Sequence, residues 1–355
     1  MVSMKFKSAW KTILLLALGI IAFVVYLYVF NVDIPTIIVI AGSADLRLYL
    51  LALVFVIFDT LFFSLAWHTL LNFLSVKISV LRSFLYVWYG MFIDIIIPAE
   101  SISAEISKLY LVTREQNGTS GKVVASLLIQ RLIGMGLNII GLLVGASLLI
   151  MQMQISGFVL NLTLFLAATS IAFLILLILF CTKEAWTLQI INKIINFVEY
   201  ISRGRWKPTK IQEEIFKAIK IFHESMRAFR HSPKLIFTSL FFSVVSWLLS
   251  ISVIYVVFAS IGFVVDWGVI ITTHSIISAI HGIPLGIPFE AGLPEITMTA
   301  LYGVLGVPLN ISATATILTR ILTVWLRFFI GFVVQQGLEI KVMTAMKTNT
   351  QVGKS

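Results

Sequence analysis

"IPAESISAEI", residues 97–106, lies where the surrounding hydropathy asks for membrane-buried helix, yet it carries a proline and two glutamates five residues apart. At residues 287–296, "IPFEAGLPEI" puts isoleucine, proline, glutamate, glutamate and isoleucine in the same register. Proline removes a helix hydrogen bond and clashes with the preceding turn, so each stretch is expected to break its helix. A charged side chain left facing lipid at mid-membrane costs about 2.5–3.5 kcal/mol even on lenient insertion scales. Carboxylates in these positions therefore need a polar cavity or a basic partner.

The rest of the chain shows that the setting is a bilayer. Of its 355 residues, 59% are apolar and 12% charged, and the mean hydropathy is +1.03, outside the range of soluble domains. Runs such as "KTILLLALGIIAFVVYLYVF" (11–30) reach the roughly 20 apolar residues that cross a bilayer as helix. Helix is the expected element, because lipid satisfies no open backbone groups. The first run follows Lys5, Lys7 and Lys11, is too long for a secretory signal, and reads as a retained anchor. A single cysteine, Cys181, excludes an internal disulfide framework. The terminal "VGKS" lacks the leading glycine of a phosphate loop, Thr348 standing in its place.

Basic residues orient the spans. The stretch from Lys183 to Lys234 has eleven Lys or Arg against five acids and is expected to be cytoplasmic. Within it Ile211, Ile215, Phe216, Ile219, Phe222, Met226 and Phe229 recur at helical spacing, so an amphipathic helix is expected on the membrane surface with its apolar face toward lipid. The net charge of +10 follows from this bias and from anionic headgroups; no nucleic-acid module is visible. With that loop inside, 84–112 must begin and end inside, and 267–306 must begin and end outside. A tight full hairpin or a re-entrant one fits each; the prolines and acids favour the re-entrant form.

The expected fold is therefore an all-α polytopic membrane helical bundle, one transmembrane domain over 1–355. It is built of two inverted repeats, about 46–150 and 235–336, each with a Pro-broken re-entrant hairpin, joined by a cytoplasmic amphipathic loop at 183–233. Local sequence agrees. "LLIQRLIG" around Arg131 resembles "TILTRILT" around Arg320, and the spacing from Glu105 to Arg131 is 26 residues against 25 from Glu295 to Arg320. Broken apolar segments at matching positions of inverted halves point to a substrate site near the midplane. Either the Glu–Arg pairs only staple each hairpin to the next span, or they border a ligand site; the two do not exclude each other. Asp59, His68 and Asp94 could line the same cavity or simply satisfy structural hydrogen bonds. His274 and His281 lack further ligands at metal-binding spacing, so no metal is expected. Gly141 and Gly145 form a small-residue pair suited to close helix packing.

At these motifs the chain resembles the transmembrane region of lysylphosphatidylglycerol synthases and the related flippase-like UPF0104 membrane proteins. The likeness rests on "AEISKLYLVTRE" (104–115), "VVASLLIQRLIGMGL" (123–137) and "GIPLGIPFEAGLPEITMTALYGVLGVPLNISATATILTRILTVWL" (282–326). It implies that Glu105 and Lys108 stand for the family's acid and base, and Arg131, Glu295 and Arg320 for its later acid and arginines. Ala104, Gln130 and Gly134 depart from the family pattern, as does "PFEAG" in place of its Pro-Gly-Gly turn. The aminoacyl-transferase domain of longer members is absent, so no lysyl transfer and no enzyme activity is expected.

The resemblance implies movement of a lipid with a charged headgroup between leaflets of the cell membrane; the basic residues Lys5, Lys7 and Lys11 at one end and Lys341 and Lys347 at the other place both termini in the cytoplasm. Arg131, Arg320 and Lys108 would meet phosphate; Glu105 and Glu295 would meet a cationic head or the arginines. Glu100 and Glu290, at the hairpin turns, complete the candidate set. The expected partners are membrane lipids, with a homo-oligomer left open; no cofactor is expected. The rivals are an intramembrane lipid-modifying enzyme using Glu100, Asp94 or His281, and a structural or assembly protein.

Overall fold

A computed structural model describes residues 34–97, 102–152, 157–201, 209–282 and 293–338. The first apolar run, the stretches carrying Pro98, Glu100, Pro288 and Glu290, and both chain termini lie outside these residues. The described residues form twelve helices and no strands. They are α1 (Ile34–Gly42), α2 (Leu46–Phe73), α3 (Val80–Ile96), α4 (Ile102–Glu115), α5 (Ser120–Met151), α6 (Gly157–Thr182), α7 (Glu184–Ile201), α8 (Thr209–Arg230), α9 (Pro233–Ser260), α10 (Trp267–Gly282), α11 (Leu293–Val304) and α12 (Leu309–Leu338).

Five of them, α2, α5, α6, α9 and α12, are long and apolar enough to cross a membrane. This is an integral, multi-pass helical membrane protein. α6 is apolar around its whole circumference and turns Phe158, Phe165, Ile175 and Leu176 outward, as expected of a helix whose solvent is lipid. The paired helices α3/α4 and α10/α11 are shorter, 17, 14, 16 and 12 residues. At 1.5 Å per residue each is about 18–26 Å long, less than the ~30 Å hydrocarbon core.

The two longest-packed partners are α2 and α9, which run antiparallel. Asp45 at the start of α2 donates its N–H to Ser260 O at the end of α9 (2.7 Å), and Ser239 near the start of α9 bonds Ala66 O late in α2 (3.1 Å). This axis defines two ends of the bundle. At the end shared with α7 and α8, α3 begins and α4 finishes. There Lys77 and Gln116 exchange two hydrogen bonds, 3.3 and 2.6 Å, and Arg82 pairs with Glu115 at 2.8 Å. Ser79 caps α3 by accepting from Arg82 N–H. At the other end, α10 begins and α11 finishes, with 263–266 and 304–307 side by side around one shallow pocket.

Chain turns at that second end use one device twice. Gly262 and Gly306 have φ of +75° and +91°, and the following residues, Phe263 and Val307, donate to Phe258 O and Tyr302 O (3.1 and 3.0 Å). This left-handed glycine with a bond spanning five residues is the Schellman ending, and it stops α9 and α11 at the same level.

Close contacts join the halves crosswise. A Cβ on Gly141 would fall 2.3 Å from Ser275 Oγ, and one on Gly145 2.8 Å from the Thr272 backbone nitrogen, so these two glycines bring α5 against α10. A Cβ on Gly331 of α12 would fall 2.8 Å from Trp88 O of α3, and Phe92 packs on Phe328 and Phe332.

The amphipathic segment is helical as expected, but its apolar face is not on lipid. Ile219, Phe222 and Phe229 of α8 are buried in the bundle, Phe229 stacking on Phe73. Gly121 at the start of α5 admits the α8 backbone so closely that a Cβ there would meet Ala218 O at 2.3 Å. An apolar stripe demands an apolar partner without saying whether it is lipid or protein. It is α7 that exposes Trp186, Ile190 and Ile194.

Candidate functional site

Arg131 lies eleven residues into α5 and Arg320 eleven residues into α12, each about 16 Å from the start of its helix and so near mid-depth of the core. The two helices start at opposite ends of the bundle. Both arginines reach the same cavity, of about 410 Å³, whose wall also includes Asp94, Glu105, Lys108, Gln130, His281 and Arg327.

The acids of the first turns of α4 and α11 meet these arginines. Arg131 Nη1 donates to Glu105 Oε2 at 3.1 Å, and Arg320 Nε to Glu295 Oε1 at 2.6 Å. Both pairs expected from sequence are formed, and both carboxylates are engaged by arginine. Glu295 is buried among α11 and α12, while the Glu105 side chain keeps 24% of its surface on the cavity. Glu100 and Glu290 lie outside the described residues.

A third pair was not expected. Arg327 Nη2 donates to Asp59 Oδ2 at 2.8 Å, and Ser246 Oγ donates to Asp59 Oδ1 at 2.6 Å. The contact joins α2, α9 and α12 at the centre of the bundle. Arg327 was the missed residue, and its signal was simple: an arginine inside an apolar span needs an acid, and Asp59 lies inside another. Arg320, Thr323, Val324 and Arg327 share one helical face on the cavity, and a single π turn, Ile321–Trp325, lies between the arginines. π turns inside α-helices recur at functional sites.

Lys108 behaves differently from the arginines. Its side chain is buried, 5% exposed, yet it lines the cavity. Its ammonium lies 5.2 Å from the Trp67 ring centre and 5.6 Å from that of Phe63. Among the described residues it makes no ion pair and no hydrogen bond. Cation–π contact supplies on the order of 1 kcal/mol, less than the roughly 2.5–3.5 kcal/mol cost of a charge at this depth. The carboxylates of Glu105 and Asp94 also act on the ammonium, without coming within ion-pair distance. The rings are themselves fixed: Trp67 Nε1 donates to Ser126 Oγ (3.0 Å), and Gln130 Nε2 bonds Phe63 O (2.9 Å).

Other polar residues divide. Asp94 lines the cavity and accepts from Ser103 Oγ. His281 lines it too. His68 instead bonds Ser83 (3.1 Å), and His274 lies 3.4 Å from Ser250, both as structural hydrogen bonds. Cys181 is buried in the core beneath α8. No group of three or more potential metal ligands occurs among the described residues.

Comparison with known proteins gives a consistent result. The chain is 23% identical to a UPF0104 membrane protein of Pyrococcus horikoshii over 293 residues, covering 81% of this chain and 86% of that one. It is 21% identical to a UPF0104 membrane protein of Methanocaldococcus jannaschii over 339 residues, 93% of this chain and 95% of that one. No solved structure matches the chain at a significant level. Residues 14–331 match the model of the lysylphosphatidylglycerol synthase TM region, and the chain belongs to that family.

Proposed function

We propose that this protein is a translocase that moves lipids with a charged headgroup between the leaflets of the cell membrane, without chemical change to the lipid. The observation that carries the reading is the convergence of charge on one mid-depth cavity: Lys108, Arg131, Arg320 and Arg327 reach it from both halves of the chain. A headgroup crossing the core must exchange its hydration for fixed polar groups. Such groups are costly to keep inside a bilayer and are retained chiefly on pathways.

The reading includes two inverted repeats, α2–α5 and α9–α12, each with a re-entrant hairpin. Three features support it. Both hairpins are built of helices too short for the core; their open ends lie at opposite ends of the α2/α9 axis; and α5 on α10 is matched by α12 on α3. Each hairpin then opens toward one leaflet, and both termini are cytoplasmic.

The test is translocation by pure full-length protein in liposomes made from lipids of its native membrane. Trace fluorescent lipids are bleached from outside by an impermeant reductant. Faster loss of inner-leaflet signal than in empty liposomes is expected; equal rates for every headgroup would refute the reading. The enzyme rival gains one observation, Asp94 and His281 on the same cavity. It requires that labelled lipid be converted to product, whereas translocation returns it unchanged.

A further inference from the structure

Between α6 and α7 the chain turns sharply. Lys183 alone separates the two helices, and Thr187 Oγ1 donates to Phe180 O at 2.9 Å. Along an unbroken helix, residues seven apart are separated by about 10 Å. The contact therefore requires a bend at Lys183 that takes α7 away from the axis of the span before it. Arg227 Nη2 of α8 donates to Glu184 Oε2 at 2.6 Å, which fixes the first turn of α7 against this end of the bundle.

Beyond the bend the surface of α7 divides into three stripes, each repeating every three or four residues. Thr187, Ile191 and Ile195 are buried or half-buried on the protein side. Gln189, Asn192, Lys193 and Asn196 are polar and exposed. Between these two stripes lie Trp186, Ile190 and Ile194, which are 52%, 45% and 54% exposed. The described chain leaves this apolar stripe open.

From this we infer that α7 is an interfacial helix, its Trp186–Ile190–Ile194 stripe set into the boundary of headgroups and acyl chains in the leaflet at the α7/α8 end. Three observations choose lipid over a protein partner. The stripe starts three residues past Lys183, and the last turns of α6 expose Ile175, Leu176 and Ile178, so it continues a surface that already faces acyl chains. Its first member is a tryptophan, whose amphipathic ring favours the membrane–water boundary. The polar stripe runs beside the apolar one, as a helix lying half in water requires, and Lys193 reaches the headgroups along its apolar stem. The amphipathic stretch after α6 is thus divided: the stripe of α8 goes to protein and that of α7 to lipid. This inference is independent of the translocase reading.

The experiment is spin labelling of the full-length protein in liposomes. Cys181 is buried; Cys181→Ala or Cys181→Val, whichever melts like the wild type, supplies the background. Single labels are introduced through Trp186→Cys, Ile190→Cys, Ile194→Cys, Gln189→Cys, Asn192→Cys and Asn196→Cys, all at exposed positions, so the fold is kept. Collision of each label with oxygen, which concentrates in lipid, is compared with collision with a water-soluble nickel chelate. The oxygen-to-nickel ratio is expected to be several-fold higher at the first three positions than at the last three. A uniform ratio at all six, low for a helix standing in water or high for one sunk in the core, would overturn the inference. So would weak collision with both reagents at residues 186, 190 and 194, which marks a covering protein; dipolar broadening between labels would identify that cover as a second copy of the chain.

Discussion

Replacing Glu295 by leucine and Arg320 by methionine, singly and together, separates a staple from a working pair. Each of these side chains is 11% exposed and they meet at 2.6 Å, so solvent screens the pair little. Removing one partner of such a pair leaves an uncompensated buried charge and costs about 3–5 kcal/mol, whereas replacing both by apolar groups of similar volume is about neutral or stabilising by 1–4 kcal/mol. The cycle should therefore give destabilised Glu295→Leu and Arg320→Met and a double variant near wild type, with a coupling of several kcal/mol, about 3 or more. Equilibrium unfolding in mixed micelles measures stability, and the liposome assay measures translocation on the same four proteins. If the pair borders the lipid path, the double variant folds and translocates poorly. A double variant with full stability and full translocation would reduce the pair to a staple. Single variants that each cost under about 1 kcal/mol and simply add would refute the burial argument itself.

Three further perturbations test other parts of the structure. Gly145→Val should force α5 from α10, because its Cβ would meet the Thr272 backbone at 2.8 Å, costing about 1–3 kcal/mol; Gly134→Ala, inside the same helix with open space around it, should not lower the melting temperature. Arg327→Met should strand Asp59 with Ser246 alone and cost about 3 kcal/mol or more, while adding Asp59→Leu recovers most of it; unfolding of the two variants checks this. His223 of α8 is buried, and burial holds its pKa below the ordinary value, opposed by nearby Glu184. The folded imidazole thus stays neutral while the unfolded chain takes up a proton as pH falls through about 6.5. Stability is full above that pH and is lost below it. His223→Leu should flatten the pH dependence of the melting temperature between about pH 7.5 and 5, and an unchanged slope would assign it elsewhere.

Much of this architecture is legible because a bilayer leaves few options. Apolar runs near 20 residues must be helices, and Pro98 and Pro288 argue from sequence for breaks between shorter ones. A charge inside a span must find a partner, which is why Glu105 and Arg131, and Glu295 and Arg320, could be matched at spacings of 26 and 25. The Asp59–Arg327 contact obeys the same rule, but its partners are 268 residues apart and belong to the first span of one half and the last of the other. Spacing carries no information about such a pair; only the antiparallel packing of α2 on α9 brings it together. The placement of α8 was illegible for another reason. Its stripe is real, but whether it meets lipid or protein depends on Gly121, whose missing side chain makes the docking surface. Nor could sequence distinguish Lys108 from the arginines, since its character comes from the Phe63 and Trp67 rings that α2 sets against it.

The two glutamate–arginine pairs are chemically alike but not equally wet. Side chains of Glu105 and Arg131 keep 24% and 14% of their surface, those of Glu295 and Arg320 11% each. Lys108 belongs to the wetter side, one turn along α4 from Glu105. Under the translocase reading, a headgroup arriving from the α3/α4 side would meet Lys108 and the more exposed pair first, with the less exposed pair beyond them. Under the proposed inverted arrangement the opposite state has the Glu295 side wetter. That state has no lysine at the position matching Lys108: three residues after Glu295 stands Met298, buried and apolar. The two sides of the cavity would then differ, with one more basic residue on the α3/α4 side. A Glu–Arg pair that gave its arginine to a phosphate would leave its carboxylate without a counter-ion while the phosphate brought a negative charge of its own, so passage along these pairs would need a proton or a further basic residue at each step.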